Sequence, residues 1–173
     1  RLYPVVRSIY GAAPLIDIGL IELLKDGSLP KAYLITLQPL AIGIVLCSLA
    51  GIGFGIAMGL SRTAEWLSLP VFIILQAAPM AAIIPLLTYM YGIGLTSKVL
   101  AVIMLAAPVI VMNSYKGIRN TPPSLLQMCR SFQGTRAQEI AKIVLPHAAG
   151  LIFTGLRLGL AMGFIGIVIA ELL

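Results

Sequence analysis

The sequence predicts an all-α protein that crosses a membrane several times as a helical bundle. Three observations carry that expectation. Side chains are 60% hydrophobic and only 10% charged, the mean hydropathy is +1.04, and the charges are gathered between uncharged runs long enough to cross a bilayer. Ordinary soluble domains hold about a quarter charged residues, so a soluble single domain is a poor reading. Twelve Lys and Arg against six Asp and Glu give a net charge of +6. They form no basic face, which argues against nucleic-acid binding. Cys47 lies in an apolar run and Cys129 in a polar segment, an unsuitable pair for a disulfide framework. The chain opens on Arg1 and closes at Leu173 in mid-run. It reads as a piece of a longer protein, with a membrane element expected beyond each end.

Residues 14–29 come first. Leu15, Ile16, Ile18, Leu20, Ile21, Leu23 and Leu24 alternate with Asp17, Glu22, Lys25 and Asp26, the pattern of an amphipathic helix lying in the membrane interface or just outside it. No charge falls between Lys31 and Arg62, and residues 34–60 exceed the roughly 20 apolar residues a span needs. The second uncharged run predicts a span over residues 69–91. Pro79 and Pro85 interrupt it, which is tolerable where neighbouring helices cover the freed carbonyls. Residues 99–115, with Pro108 in their second half, form the third expected span. Residues 150–173 form the fourth, with Arg157 near its start and Glu171 near its end.

Four spans place residues 61–68 and 116–149 on one side, and residues 1–31 and 92–98 on the other. Arg62, Lys116, Arg119, Arg130, Arg136, Lys142 and Arg157 outnumber Arg1, Arg7, Lys25, Lys31 and Lys98, which favours a cytoplasmic 116–149 segment. That segment is too polar to cross and too long for a turn. It reads as two short helices, residues 123–132 and 135–145. Pro122 and Pro123 suit a helix start, Gln133-Gly134 a break, and Pro146 an end.

The strings RSFQGTRAQEIAKIVLP and FTGLRLGLAMGFIGIVIAEL, with PLLTYMYGIGLTSK before them, resemble the permease subunits of binding-protein-dependent ABC importers. The likeness is to the branch handling nitrate, taurine and alkanesulfonates, and it covers roughly residues 14–173. The family's cytoplasmic signature is EAA, three residues, Gly, nine residues, then I-x-L-P. Here Ile143-Val144-Leu145-Pro146 ends it, so Gln133 falls at the family's glycine and Gln127-Met128-Cys129 at EAA, with Gly134 one place late. The resemblance implies a type I ABC importer permease fold with a cytoplasmic coupling helix pair, in the inner membrane of a prokaryotic cell. It also implies a second permease copy as a homodimer, a cytosolic ATPase dimer that carries the ATP and magnesium, and an extracytoplasmic substrate-binding protein. No cofactor is expected on this chain. ATPase coupling would fall to Gln127, Met128, Cys129, Arg130, Phe132, Gln133, Gly134, Arg136, Ile143, Leu145 and Pro146.

Two glycine rows stand out, Gly51, Gly55 and Gly59, extended back to Gly43 and Cys47, and Gly155, Gly159 and Gly163. Spacing of four puts small side chains on one helix face, where two backbones can approach closely in lipid. Such a contact could lie within the subunit or across a dimer. Arg157 can snorkel to the cytoplasmic interface, too far along a helix from Glu171 for the two to pair. Glu171 suits either the water-filled pathway or the outer interface. His147 lacks the partners of a metal or catalytic site, and Gly92–Lys98 lacks the spacing of a phosphate loop. The scattered methionines fit gap filling.

The leading function is a transport subunit that moves a small solute inward while partner chains hydrolyse ATP. A secondary transporter or channel is the alternative, against which the intramembrane charges are sparse and no inverted repeat is evident. An intramembrane enzyme would need a base beside Ser48 or Ser114, and no histidine lies in the spans.

Overall fold

A computed structural model describes residues 28–172. Of the amphipathic helix expected over residues 14–29, all but the last two positions lie outside the described residues. Every described element is helical: α1, Ser28–Leu60; α2, Arg62–Ala77; α3, Met80–Tyr91; α4, Leu95–Arg119; α5, Pro123–Ser131; α6, Arg136–Glu139; a π-helical turn, Ile140–Val144; and α7, Leu145–Glu171. Contacts divide the chain into Arg1–Gln38 and Pro39–Leu173. The described part of the first unit is the opening of α1, and the bundle is the second unit. Tyr33–Leu60, Leu95–Arg119 and Arg136–Glu171 are each long and apolar enough to cross a membrane.

The second expected span needs correction. Residues 69–91 do not form one straight helix; α2 and α3 meet at a bend of 98°. Pro79 is the cause, since it has no N–H to continue the ladder and pushes the residue before it out of helical geometry. Ala78 accordingly has φ −68° and ψ 143°. Pro85 stays inside α3.

The bundle is organised around α4, whose Ala101, Val102, Ala106 and Ile110 are fully buried. Each glycine row packs on it within the chain. From α1, a Cβ built at Gly43 would fall 2.6 Å from Val102 Cγ1, at Gly51 3.1 Å from Ile110, at Gly55 2.6 Å from Ser114 Cβ, and at Gly59 2.6 Å from Ile118. The partner advances along α4 in step with the glycine along α1, so the two helices run parallel. From α7, Gly155 meets Asn113, Gly159 meets Ile110 and Gly166 meets the Ala101 carbonyl. Here the numbers run oppositely, so α7 is antiparallel to α4.

The parallel register fixes what the bent pair does. Since α1 and α4 point the same way, residues 61–94 carry the chain back to the end of the bundle where α4 begins, and the bent pair α2 and α3 is apolar enough to pass together as one broken span. Two ion pairs agree with that arrangement at opposite ends of the bundle. Glu65 of α2 meets Arg119 at the end of α4 at 3.0 Å, and Lys98 at the start of α4 meets Glu171 at the end of α7 at 2.8 Å.

Candidate functional site

The polar segment between α4 and α7 grows from local rules. Asn120 N–H bonds back to the Lys116 carbonyl at 2.9 Å, and buried Thr121 turns its hydroxyl onto the Ile118 carbonyl at 3.0 Å. Pro122 is extended and Pro123 opens α5, a position where its missing N–H costs nothing. At the other end of α5, Gln133 N–H donates to the Arg130 carbonyl and Gly134 N–H to the Cys129 carbonyl, both at 2.9 Å. This pair of bonds is a Schellman motif, which needs a left-handed residue just past the helix. That residue is Gln133, with φ 56°.

The positive φ therefore sits where the family motif has its glycine, one place before the glycine this sequence supplies. Gly134 is needed for a different reason. A Cβ there would lie 2.5 Å from Cys129 Sγ and 2.9 Å from the Cys129 carbonyl oxygen, the atom its own N–H binds.

Next, Thr135 caps α6 through a reciprocal pair. Thr135 N–H donates to Gln138 Oε1 at 2.9 Å, and Gln138 N–H donates to Thr135 Oγ1 at 3.4 Å. The Thr-x-x-Gln spacing was a readable signal for this start. The two arms of the hairpin are joined by Arg130 and Glu139. Arg130 Nε and Nη2 each donate to one Glu139 oxygen at 3.3 Å, the two-pronged geometry that fixes orientation. The Glu139 carboxylate, by hydrogen bonding first and by charge second, holds the Arg130 guanidinium above its ordinary value.

The second arm departs from expectation. Residues 135–145 are not a separate helix ended by Pro146. After the four residues of α6 the backbone passes through the π-helical turn, in which Leu145 N–H reaches the Ile140 carbonyl. It then continues as α7 with Pro146 in its first turn, so the helix that contains residues 150–171 begins earlier, at Leu145. The π-helical turn widens the backbone immediately before Pro146, a local irregularity of the kind that bends helices. Buried Ile118, Val144 and Ala148 then pack together, with Leu126 and Leu145 against them. The hairpin is thus one solid piece with the last span.

Amid polar neighbours, the hairpin turns two large apolar side chains outward. Met128 is 52% exposed and Phe132 81%, four residues apart and so on one face of the α5 turn. Gln127 is exposed and Cys129 and Ile143 are half-buried. Arg136, Arg130 and Glu139 line a cleft of about 230 Å³ between the hairpin and the ends of α1 and α4. The residues assigned to coupling are therefore together, while Glu171 stands with Lys98 at the opposite end of the bundle. Glu139 and Leu126, which hold the hairpin's shape, were not singled out from sequence. Neither was the contact of Tyr115, whose hydroxyl donates to Glu65 at 2.6 Å. Among the described residues, no three His, Cys, Asp or Glu side chains could hold a metal ion.

Residues 51–173 match the family of binding-protein-dependent transport system inner membrane components. The chain is 32% identical over 148 residues to the taurine transport system permease protein TauC of Escherichia coli, covering 86% of this chain and 54% of that protein. It is 31% identical over 152 residues to the putative aliphatic sulfonates transport permease protein SsuC of Bacillus subtilis, covering 88% and 55%. The nitrate import permease protein NrtB of Leptolyngbya laminosa is 28% identical over 138 residues, covering 80% and 50%. The chain thus spans about half the length of the curated relatives it matches. Among solved structures, an amino acid ABC transporter with histidines superposes with a TM-score of 0.53 at 16% identity, over 84% of this chain and 75% of that one. That likeness is one of fold.

Proposed function

We infer the function from one premise: this chain belongs to the binding-protein-dependent transport system inner membrane components. On that premise it is the membrane-spanning permease subunit of an ATP-driven importer, and a small solute passes along its helices. Two such permeases pair around the pathway in a prokaryotic inner membrane. An extracytoplasmic binding protein delivers the solute at the end that carries Gly92 to Lys98. The hairpin of α5 and α6 faces the cytoplasm and docks an ATPase dimer, which holds the ATP and magnesium and performs the hydrolysis.

One observation carries this reading. Met128 and Phe132 present large apolar side chains to water on a hairpin continuous with the last span. Exposed apolar groups in an otherwise polar segment mark a contact surface, and aromatic anchors dominate such contacts. Because α6, the π-helical turn and α7 are unbroken, a push on the hairpin moves α7 against α4 and changes the pathway. The relatives named for taurine, aliphatic sulfonates and nitrate support a small solute without fixing which one.

The test is purification of the complex from membranes in mild detergent. Met128→Ala with Phe132→Ala is expected to reduce the ATPase recovered with the permease by about tenfold or more, as loss of a hot spot does, while membrane insertion stays normal. Undiminished recovery would refute the docking role of this face. Labelling of Thr135→Cys from outside intact cells, in a background without Cys47 and Cys129, would refute the orientation.

A further inference from the structure

A pocket of about 380 Å³ opens along α2 where that helix leaves Ser61. Arg62, Trp66, Leu69, Pro70 and Ile73 line it, and their spacing places them on one face of the helix. Arg119, from the end of α4, closes the charged end of the same pocket.

The lining changes character along its length. At the charged end stand Arg62, Arg119 and one carboxylate, Glu65, which is bound to Arg119 at 3.0 Å and accepts from the Tyr115 hydroxyl. One positive charge is left in excess. Deeper along α2 the wall is apolar, and Trp66 is 83% exposed with Ile73 52% exposed. Tryptophan favours the membrane–water boundary, with its ring at headgroup level. The basic end adjoins the side that carries the hairpin, and the apolar wall runs along α2 away from it.

We propose that this pocket binds an anionic phospholipid, its phosphate at Arg62 and Arg119 and one acyl chain along Trp66, Leu69 and Ile73. Charge complementarity selects the occupant. The excess guanidinium favours an anionic headgroup over a zwitterionic one, and an apolar wall at span depth is matched by a lipid chain. The site itself rests on α2 lying in the membrane. The reading above supplies only the leaflet, since the cytoplasmic one is where anionic lipid attracts basic side chains.

Trp66 is the only tryptophan among the 173 residues, so one substitution removes this segment's indole signal from the complex. The intact permease complex is reconstituted in phosphatidylcholine vesicles, and phosphatidylglycerol or phosphatidylcholine brominated near the headgroup end of the chain is titrated in. Subtracting a Trp66→Phe complex isolates the Trp66 signal. Brominated phosphatidylglycerol is expected to reach half-quenching at about fivefold lower mole fraction than brominated phosphatidylcholine, the gain of one basic side chain at an anionic surface. Arg62→Gln should remove that preference, whereas Lys142→Gln, on the hairpin, should keep it. Equal quenching by the two lipids, loss of the preference in Lys142→Gln, or no quenching because protein covers Trp66 would each overturn the proposal. Both leaflets of these vesicles carry the same lipids, so an inverted topology would leave this result unchanged and would show only in the Thr135→Cys labelling.

Discussion

Lys98 Nζ and Glu171 Oε1 stand 2.8 Å apart across 73 residues of sequence, which joins the start of α4 to the end of α7. Each charge is badly placed on its own helix, a cation in a first turn and an anion in a last one. Because the helices are antiparallel, each lies beside the end of the neighbouring dipole that favours it. The side chains are 18% and 28% accessible, so water screens the pair only in part. Glu171→Gln and Lys98→Gln should each lower thermal stability in detergent by about 1 kcal/mol, and the double variant should cost less than their sum. Additive losses would mean that the two charges act independently.

The glycine rows give a prediction with an internal control. A side chain at Gly55 meets Ser114 Cβ and the Val111 carbonyl, both at 2.6 Å, whereas among the described residues nothing lies within 4 Å of a Cβ at Gly53. Gly55→Leu and Gly159→Leu should each cost about 1–3 kcal/mol or more by overpacking and reduce the yield of assembled complex. Gly53→Leu should leave yield and transport intact. Equal behaviour of Gly53→Leu and Gly55→Leu would remove the case for close packing of α1 on α4.

Ser114 supplies a change in the other direction. It is completely buried, and its hydroxyl has no hydrogen-bond partner among the described residues. Leaving such a group unpaired costs about 1–3 kcal/mol. Ser114→Ala keeps the Cβ that packs on Gly55 and removes the orphaned oxygen, so the melting temperature should rise. A clear fall would show that the hydroxyl is satisfied in the membrane by a group from elsewhere in the complex.

The legible and illegible features separate by the range of the interaction that makes them. Uncharged runs announce spans because the bilayer acts on each residue alone, and a four-residue glycine period announces a close contact because helix geometry is local. The partner of those glycines was not legible. Nothing in the spacing of Gly55 or Gly159 says that both rows grip one helix, α4, from two sides. The two cross-bundle ion pairs were hidden for the same reason, since they depend on which helices are parallel. Prolines misled in both directions. Pro79 breaks a span that hydropathy draws as continuous, while Pro146 lies within a helix that it was expected to end, because a π-helical turn precedes it. Counting from Pro146 nonetheless placed Gln133 at the family's glycine, and Gln133 is the residue with the positive φ.

The last prediction separates Gln133 from Gly134. Expecting Gly134 to be needed for its backbone freedom would make only its φ matter, but Gln133 holds the left-handed conformation. A residue with a side chain pays about 1 kcal/mol or more there, partly offset by the extra chain entropy a glycine loses on folding. Gln133→Gly should therefore raise hairpin stability by about 0.5–1 kcal/mol and preserve ATPase docking. Gly134 tolerates no Cβ, because the Cys129 carbonyl 2.9 Å away is fixed by the hydrogen bond from Gly134 itself. Rotation of the Cys129 thiol cannot relieve that contact. Gly134→Ala should thus damage the turn nearly as much as Gly134→Val, an outcome that backbone freedom alone would not produce. The measurement is ATPase recovery with the purified complex, together with hydrolysis in proteoliposomes with and without the delivery protein. Both Gly134 variants should insert in the membrane, yet lose docking or the stimulation by delivered solute. Normal coupling in Gly134→Ala with loss in Gly134→Val would show that β-branching, and not the close approach to Cys129, sets the requirement.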